Sequence, residues 1–471
     1  EGKSISIQTG KSGPEVHVVD HHKNEPIAVI PGHLPSGYAD DLPPGHIRDI
    51  IIDIIDVRRL LPCLEITSRQ TAFTFRNKDG KITLRMTMDK LRARNPNNGR
   101  PVPLGIYMSV EPVRGYVKAE KKACRLLSSK FEALPPTVPL QLEGLRAIGV
   151  EPGKYSSKLR LNLSPSMTAA GAARHIHLEL LDTIELNEDG SANNTDPEFL
   201  HDFRVAVRRT RSALSQLDKD VLPARIVAKA KADFRWIGQQ TNLMRDLDVY
   251  LIDYPEFERR LPIPFKPSLQ AFRDFLATQS RQETKNVARM IRGARYRKIR
   301  DNWRAYLTTG YDSDKQAPLA DTPVMVLADA RIWKVYCRVM KEGGAIDDAS
   351  PPSALHDLRI TCKKLRYLLE FFQSLYPLDD ITALIKSLKT FQNVLGEFQD
   401  TEVQSQAILN YGRQMAAAHA APVETQMAMG MVAETILQRQ DIARSEFNER
   451  FREFSRADVK ASYQTLFRNQ G

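Results

Sequence analysis

The sequence predicts a small α+β domain at residues 1–163 followed by an all-α domain at residues 166–471. Period-two alternation of apolar and polar residues, the mark of half-buried strands, occurs only before residue 163. Helical periodicity replaces it from Ser166 onward, and one basic helical motif occurs twice in that part. These three observations predict two domains of different class.

The N-terminal region predicts a short antiparallel sheet. Prolines break the first 60 residues into loops and short strands. Alternation at 69–76 and again at 81–89, around a loop that contains Gly80, predicts a hairpin. We expect a further strand over 106–110, a helix over Tyr116–Phe131 and a last strand over Tyr155–Leu163.

The region after Ser166 predicts helices joined mostly by short loops, which is typical of helical bundles. Two of them, 267–309 and 423–467, are long enough that we expect each to break into two. The predicted helices lie near 167–187, 197–221, 224–255, 267–309, 322–343, 352–376, 380–411 and 423–467.

An internal duplication organises the helical domain. The block His201–Arg211 aligns without a gap to His356–Arg366, and Gly238–Asp248 resembles Phe391–Asp400. Because the separation between the two blocks is nearly the same in each copy, chance is a poor explanation. We therefore expect half-repeats at about 166–310 and 321–471, related by a pseudo-two-fold axis.

Each copy of the motif predicts a helix with a cationic front and an apolar back. The predicted fronts are His201, Arg204, Arg208 and Arg211, then His356, Arg359, Lys363 and Arg366. The neighbouring Arg209 and Lys364 complete the predicted anion site. The predicted backs are Phe203, Val207, Thr210, Leu214 and Leu217, then Leu355, Leu358, Cys362, Leu365 and Leu369.

A bound polyanion would relieve the repulsion within such a front, since like charges at i, i+3 and i, i+4 destabilise a helix. The front spans ten residues, or about 15 Å, which is enough to contact several successive phosphates. Arginine suits this role because its planar fork binds phosphate oxygens in pairs. Asp246 and Asp400, one per copy, are better explained as structural partners of arginines.

Two further helices show the same sorting of charge and form a secondary basic lining in this interpretation. A single charged stripe is more often a solvated face, and acids such as Glu179, Glu185 and Asp196 are available as partners. Repetition of the histidine-headed motif favours a functional surface over that alternative. The secondary stripes are Arg281, Lys285, Arg289 and Arg292, then Arg331, Lys334, Arg338 and Lys341.

Composition narrows the class of protein. The chain has a formal net charge of +11, which favours an anionic partner. After residue 166, however, 43 basic residues face 40 acidic ones, so any anion site there must be a sorted face. Four scattered cysteines without a CxxC pair predict no zinc site and suit the reducing cytoplasm. No apolar run approaches the roughly 20 residues that span a bilayer.

The two motif copies, with Met244–Val249 and Gln392–Gly396, make residues 166–471 resemble the CHAD family of histidine-headed α-helical domains. The resemblance implies two pseudo-symmetric four-helix bundles around a basic pore that binds inorganic polyphosphate without catalysis. It implies that the motif's histidines, arginines and lysines face the anion. It further suggests a cytoplasmic protein associated with polyphosphate granules, with no cofactor, catalytic residue or metal ligand.

The N-terminal domain resembles, more weakly, the CYTH or triphosphate-tunnel domains, which often precede CHAD. The similarity rests on the hairpin ending at Met88-Asp89, on Val110–Tyr116 and on Tyr155–Lys158. It implies an antiparallel, tunnel-like barrel with Arg76, Arg85 and Glu111 as candidate inward residues. The family's E-x-E-x-K metal motif is absent, and Glu15–Val19 is the nearest segment. The N-terminal domain is therefore expected to be degenerate.

Three alternatives remain open at this stage. A metal-dependent triphosphatase in the N-terminal domain would use the helical domain to gather substrate, although it needs carboxylates to hold Mg²⁺ or Mn²⁺. Nucleic-acid binding is less favoured because the stripes lack aromatic residues for stacking bases. An HD-type metallohydrolase would need His201-Asp202 and His356-Asp357 with further ligands such as His175 and His177.

Overall fold

The structure, a computed structural model, divides into two compact units, Glu1–Ser156 and Ser157–Gly471. Between residues 3 and 31 it describes the backbone alone. The described residues are 3–10, 13–20, 25–31, 36–97, 99–151, 159, 161–309, 317–419 and 421–468.

The first unit contains two antiparallel sheets of three strands. One has the order β1 (Lys3–Gly10), β2 (Gly13–Asp20), β3 (Glu25–Pro31). The other has the order β4 (Glu65–Arg76), β5 (Ile82–Arg94), β6 (Val102–Pro112). The predicted hairpin and third strand are confirmed. Within the described ranges the expected closed barrel is not formed, because the two sheets share no ladder of hydrogen bonds.

Three helices complete the first unit: α1 (His46–Ile55), α2 (Val117–Phe131) and α3 (Leu140–Ala147). The predicted helix Tyr116–Phe131 is confirmed. Helix α1 lies where only loops and short strands were expected. It forms because Ile51 and Ile55 fall on one face and are buried in a small cluster with Ala39 and Leu42. The expected last strand at Tyr155–Leu163 falls largely outside the described residues.

The second unit is helical, as predicted. Its first half holds α4 (Ala169–Leu186), α5 (Glu188–Ala192), α6 (Pro197–Gln216), α7 (Ala224–Gln240), α8 (Asn242–Arg260), α9 (Gln270–Ile291) and α10 (Ala294–Thr309). Its second half holds α11 (Val324–Gly344), α12 (Pro352–Phe372), α13 (Leu378–Ala417), α14 (Val423–Phe454) and α15 (Ala457–Phe467).

The duplicated halves differ at one point that matters for the site. The predicted helix 224–255 is broken at Thr241 into α7 and α8, whereas its second-half counterpart continues through α13 without interruption. The predicted breaks within 267–309 and 423–467 are confirmed, at 292–293 and 455–456.

Two hydrophobic cores stabilise this unit. The larger contains α4, α6 and α7 with α11, α12 and α15, so it draws on both half-repeats. The smaller contains α8 and α9 with the C-terminal part of α13 and the N-terminal part of α14. Both cores therefore mix the two halves. The division into two four-helix bundles stays a prediction.

The two motif helices begin and pack as their sequence dictates. Asp196 caps α6 by accepting from the backbone N–H groups of Glu198 and Phe199, and Pro197 occupies the first turn. Helix α12 likewise begins with a proline, Pro352. All ten residues predicted for the apolar backs are buried, which confirms the predicted faces. Of the described helices, none is both long and apolar enough to cross a bilayer.

Candidate anion-binding site

The motif helices α6 and α12 meet each other, and one carboxylate joins their basic faces. Glu370 on α12 accepts a hydrogen bond of 2.9 Å from Arg209 Nη2 on α6. It also lies 3.5 Å from Arg366 Nε on its own helix. The side chains of Arg209 and Glu370 are each only 13% exposed. Two of the predicted anion-binding cations are therefore engaged with the protein's own carboxylate, at the contact between the two copies.

Beside this contact lies a cavity of about 650 Å³ between α6, α7 and α12. Neutral residues such as Ser212, Ser215 and Tyr367 complete its wall, and among the described residues no carboxylate lines it. The six cations that line it are Arg208, Arg211, Lys231, Arg235, Lys363 and Lys364. Both copies of the motif thus contribute to one cavity whose charged residues, in the part that the structure describes, are all cations.

Two of these six cations, Lys231 and Arg235 on α7, are not among the residues predicted from the sequence. A signal for them exists, because Ala228, Lys231, Ala232 and Arg235 follow the i, i+3, i+4, i+7 spacing of one helix face. Small alanines between the cations leave room for the cavity. The intervening Asp233 pairs with Lys229 instead, so it does not neutralise this face.

Arg204, predicted to face the anion, is held at the junction between α7 and α8. Its Nη1 donates to the Gly238 carbonyl at 3.1 Å, to Thr241 Oγ1 at 2.7 Å and to Asn242 Oδ1 at 3.0 Å. The helix break leaves the Gly238 carbonyl without the partner that a continuing helix would supply, so it can accept from Arg204. It also places the side-chain oxygens of Thr241 and Asn242 at the same junction. Burial, together with Arg208, lowers the pKa of Arg204 to about 10.

The equivalent Arg359 has a different partner. Its Nη2 donates to Asp400 Oδ1 at 2.7 Å, and the Asp400 side chain is 64% exposed. Because α13 runs unbroken past this point, it offers no free carbonyl, and a side-chain carboxylate accepts from the arginine instead. In the first copy, Arg204 and Arg245 oppose the burial that raises the pKa of Asp246. The expected structural role of Asp400 is thus seen directly, as an ion pair with Arg359.

The two motif histidines differ in environment. Burial, and then the charge of Arg245, lowers the pKa of His201 to about 4. His201 is therefore neutral near pH 7 and offers at most one N–H donor to an anion. His356 is more exposed, and its Nδ1 is hydrogen-bonded to Gln399 Oε1. The sequence leaves open whether histidine charge contributes to binding, and the lowered pKa favours a neutral His201.

Two of the cations that line the cavity, Lys363 and Arg211, have lowered pKa values. Burial, followed by the charges of Arg359 and Arg208, lowers the pKa of Lys363 to about 8. Burial, followed by Arg235 and Arg208, lowers the pKa of Arg211. Burial and like charges both disfavour the protonated form of each base, so a bound anion would stabilise these positive charges.

The secondary stripes have other surroundings. Among the described residues none of their eight side chains lines this cavity. Five of them donate within the protein instead. Arg292 donates to Asn193 Oδ1, Arg331 to the Lys219 carbonyl and Arg338 to Glu342. Arg281 and Arg289 donate to residues of their own helix. Arg289 lines a separate cavity of about 460 Å³ whose wall includes Glu283.

Of the two histidines considered as further metal ligands, His175 and His177, the second is a core residue. His177 is fully buried, and its Nε2 lies 2.6 Å from Asp218 Oδ2. Its ring also packs edge-on against Trp303. Within the part of the chain that the structure describes, no three His, Cys, Asp or Glu side chains are grouped to hold a metal ion.

The candidate tunnel residues lie on the second sheet of the first unit. Arg85 on β5 and Glu111 on β6 are direct partners in the ladder, and both are exposed. Arg76 donates to the Gly80 carbonyl in the hairpin turn at 2.8 Å. This arrangement is that of ordinary cross-strand and turn contacts. The tunnel-like role of these residues stays a prediction.

Comparison with known proteins bears on the second unit. The family model described as "CHAD domain" matches residues 175–409, which include both copies of both duplicated blocks. The crystal structure of the CHAD domain from the plant Ricinus communis is 22% identical, with a TM-score of 0.49, covering 67% of this chain and 96% of that one. PptA from Streptomyces chartreusis is 16% identical, with a TM-score of 0.47, covering 60% and 98%. No curated protein matches the sequence.

Proposed function

The chain carries a CHAD domain, and from this premise we propose that its basic cavity binds inorganic polyphosphate without catalysing a reaction on it. The family resemblance supplies the ligand class. The observation that carries the proposal is the cavity lined by six cations and, among the described residues, by no carboxylate.

The charge of the cavity suits a linear polyanion. Its cations come from three helices and two half-repeats, so successive phosphates of one chain can meet successive cations. A cleft with walls of one sign focuses the field and raises the local concentration of an anion. Burial, and then repulsion from Arg359 and Arg208, lowers the pKa of Lys363, and phosphate oxygens beside it would offset that repulsion.

Nucleic acid fits this cavity less well. Binders that tolerate any single-stranded sequence stack bases on aromatic side chains. The one aromatic residue of the described wall, Tyr367, is only 4% exposed and lies beneath the Arg366 guanidinium, 5.4 Å from it. A ligand without bases makes better use of a wall whose binding groups are mainly cations and hydroxyls.

Absence of catalysis is part of the proposal. Metal-assisted phosphate hydrolysis needs carboxylates that hold a divalent ion against the phosphates. The described wall has six cations and no carboxylate, so it can hold a phosphate chain but lacks the anionic ligands that a divalent ion requires. We expect no phosphate release from polyphosphate, triphosphate or nucleoside triphosphate with Mg²⁺ or Mn²⁺. Release that requires Arg85 and Glu111 would favour the alternative, a triphosphatase in the first unit.

Calorimetric titration of the full chain with long-chain polyphosphate tests the proposal. The variant Arg208→Glu/Lys231→Glu/Lys364→Glu reverses three exposed or half-exposed charges of the cavity and spares Arg204, which supports the fold. We expect affinity to fall by at least about a hundredfold, since each hydrogen bond to a charged group contributes roughly 1.5–3 kcal/mol and three such groups are reversed.

The control is Arg281→Glu/Lys285→Glu/Lys334→Glu, which makes the same change in net charge on the secondary stripes. All three of these side chains are exposed. Affinity retained by the control and lost by the cavity variant assigns binding to the cavity. Equal losses would mean diffuse attraction to a basic protein, and no binding by the natural sequence would refute the proposal. Excess RNA as a competitor separates polyphosphate from nucleic acid.

Location follows from the ligand. We propose a cytoplasmic protein that associates with polyphosphate granules. A fluorescent fusion should coincide with granules, and the cavity variant should not.

A further inference from the structure

A second, smaller cavity adjoins the first between α12 and α13, with a volume of about 350 Å³. Lys363 lines both cavities, so they meet at one side chain. Helix α12 contributes Arg359, Lys363 and Arg366 to the wall of the second cavity, and helix α13 contributes Gln392 and Asn393. Gln392 is not among the residues predicted to bind the anion, and the family resemblance implies no ligand contact for it.

Gln392 is unusual because it is buried without a partner. The residue is 7% exposed, and neither its Nε2 nor its Oε1 has a hydrogen-bond partner. Buried polar side chains nearly always have partners, since an unsatisfied amide loses its bonds to water without replacement. An exception of this kind at a cavity wall indicates a group held ready for a ligand rather than for the fold.

Gly396 keeps the same wall open one turn further along α13. A Cβ placed there would meet no atom within 4 Å. Glycine is unfavourable in the interior of a helix, and α13 is a helix of 40 residues. Packing gives no reason for a glycine here, whereas access to the cavity does.

Charge in the second cavity is more balanced than in the first. Asp400 and Glu397 also line it, the former paired with Arg359 and the latter with Arg439. Lys363 is the cation nearest the first cavity. An anion is therefore attracted chiefly by the first cavity and, once there, can extend past Lys363 to the amide donors of Gln392 and Asn393.

We propose that the second cavity is a further subsite for the same phosphate chain, in which the Gln392 amide donates to a phosphate oxygen. This inference rests on the polyphosphate function proposed above and adds the direction in which the chain extends. A short oligophosphate is held by the first cavity alone, whereas a long chain occupies both.

Titrations with tripolyphosphate and with long-chain polyphosphate test this in the variant Gln392→Met, which keeps the side-chain length and removes the amide. We expect long-chain affinity to fall three- to tenfold and tripolyphosphate affinity to stay unchanged. Because the variant removes an unpartnered buried amide, its Tm should equal or exceed that of the natural sequence. Reduced affinity together with undiminished Tm is not the signature of a merely structural residue.

A second variant and a matched control keep the test decisive. Gly396→Leu extends into open space and should lower long-chain affinity by filling the cavity. Gln414→Met makes the same substitution as Gln392→Met at an exposed position of α13 and should change nothing. Unchanged long-chain affinity in both Gln392→Met and Gly396→Leu would overturn the second subsite. If the natural sequence binds no polyphosphate at all, the proposed function itself fails, which is a different result.

Discussion

Arg204 and Arg359 occupy the same position of a duplicated motif, yet the two arginines do different things. Arg204 donates to three neutral oxygens at the break between α7 and α8. Arg359 forms an ion pair with the largely exposed Asp400 beside an unbroken α13. One residue type at one position thus supports a helix junction in the first half and a surface ion pair in the second.

The difference has a cause in the backbone. A helix end leaves carbonyl oxygens without partners, and the first half contains such an end at Gly238–Thr241. A continuous helix satisfies its own carbonyls, so the second half must supply a side chain. Duplication therefore preserved the cationic helix faces more closely than it preserved their surroundings, and equivalent residues cannot be assumed to have equivalent roles.

The comparison predicts unequal stability in the two alanine variants. Arg204→Ala should lower the free energy of unfolding by about 2–3 kcal/mol, because it removes three charge-assisted bonds at a half-buried junction. Arg359→Ala should lower it by only about 0.5 kcal/mol, since an ion pair with one exposed partner contributes little. Urea denaturation of both variants measures the difference.

The control for this pair is Arg208→Ala, one helical turn from Arg204 and exposed on the cavity wall. It should leave stability unchanged or raise it slightly, because it relieves repulsion within the stripe. Equal losses for Arg204→Ala and Arg359→Ala would contradict the distinction between the two halves.

Lys363 provides a second test of the difference between the two halves. Its equivalent in the first half is Arg208, which does not titrate near neutral pH. The Lys363 pKa of about 8 means that this lysine is charged at pH 7 and mostly neutral at pH 9. Polyphosphate affinity should fall by about fivefold to tenfold between pH 7 and pH 9, while the inner phosphates stay ionised. Calorimetry at fixed ionic strength measures this fall.

The lowered pKa of Lys363 has the opposite effect on stability in the absence of ligand: the free energy of unfolding rises with pH, whereas the affinity falls. The unfolded chain holds the Lys363 proton up to about pH 10.4, whereas the folded chain releases it near pH 8. Between these values the unfolded state binds more protons, so this residue makes stability rise with pH. Lys363→Arg should lose both effects, since arginine stays charged. A variant that kept the full fall in affinity would show that another group titrates.

His201 should add nothing to the pH dependence between pH 6 and pH 8. Its pKa of about 4 keeps it neutral across that range. A rise in affinity on acidification from pH 8 to pH 6 must then come from Lys363 or from outside the first copy of the motif, and Lys363→Arg distinguishes these sources.

Sequence periodicity predicted much of this molecule, because burial follows helix geometry. The apolar backs of α6 and α12 are buried as expected, and both fronts reach a common region through Arg208 and Lys363. Periodicity could not show that Arg204 serves a helix junction or that Glu370 engages Arg209, since both depend on which helices meet. The contribution of Lys231 was missed because the part of α7 before Gly238 lies outside the duplicated blocks and its cations stand among alanines.

The smallest expected effect tests the partner of Arg359 itself. Asp400→Asn removes a carboxylate that lies beside the proposed phosphate path and frees Arg359 to bind an anion. Since an ion pair with an exposed partner contributes roughly 0.2–1 kcal/mol, affinity for long-chain polyphosphate should rise about twofold to fivefold. Asp246→Asn should not raise it, because Arg204 keeps its three neutral acceptors at the helix break. Equal gains in the two variants would mean that net charge alone governs binding, and the two halves would then be electrostatically equivalent despite their different contacts.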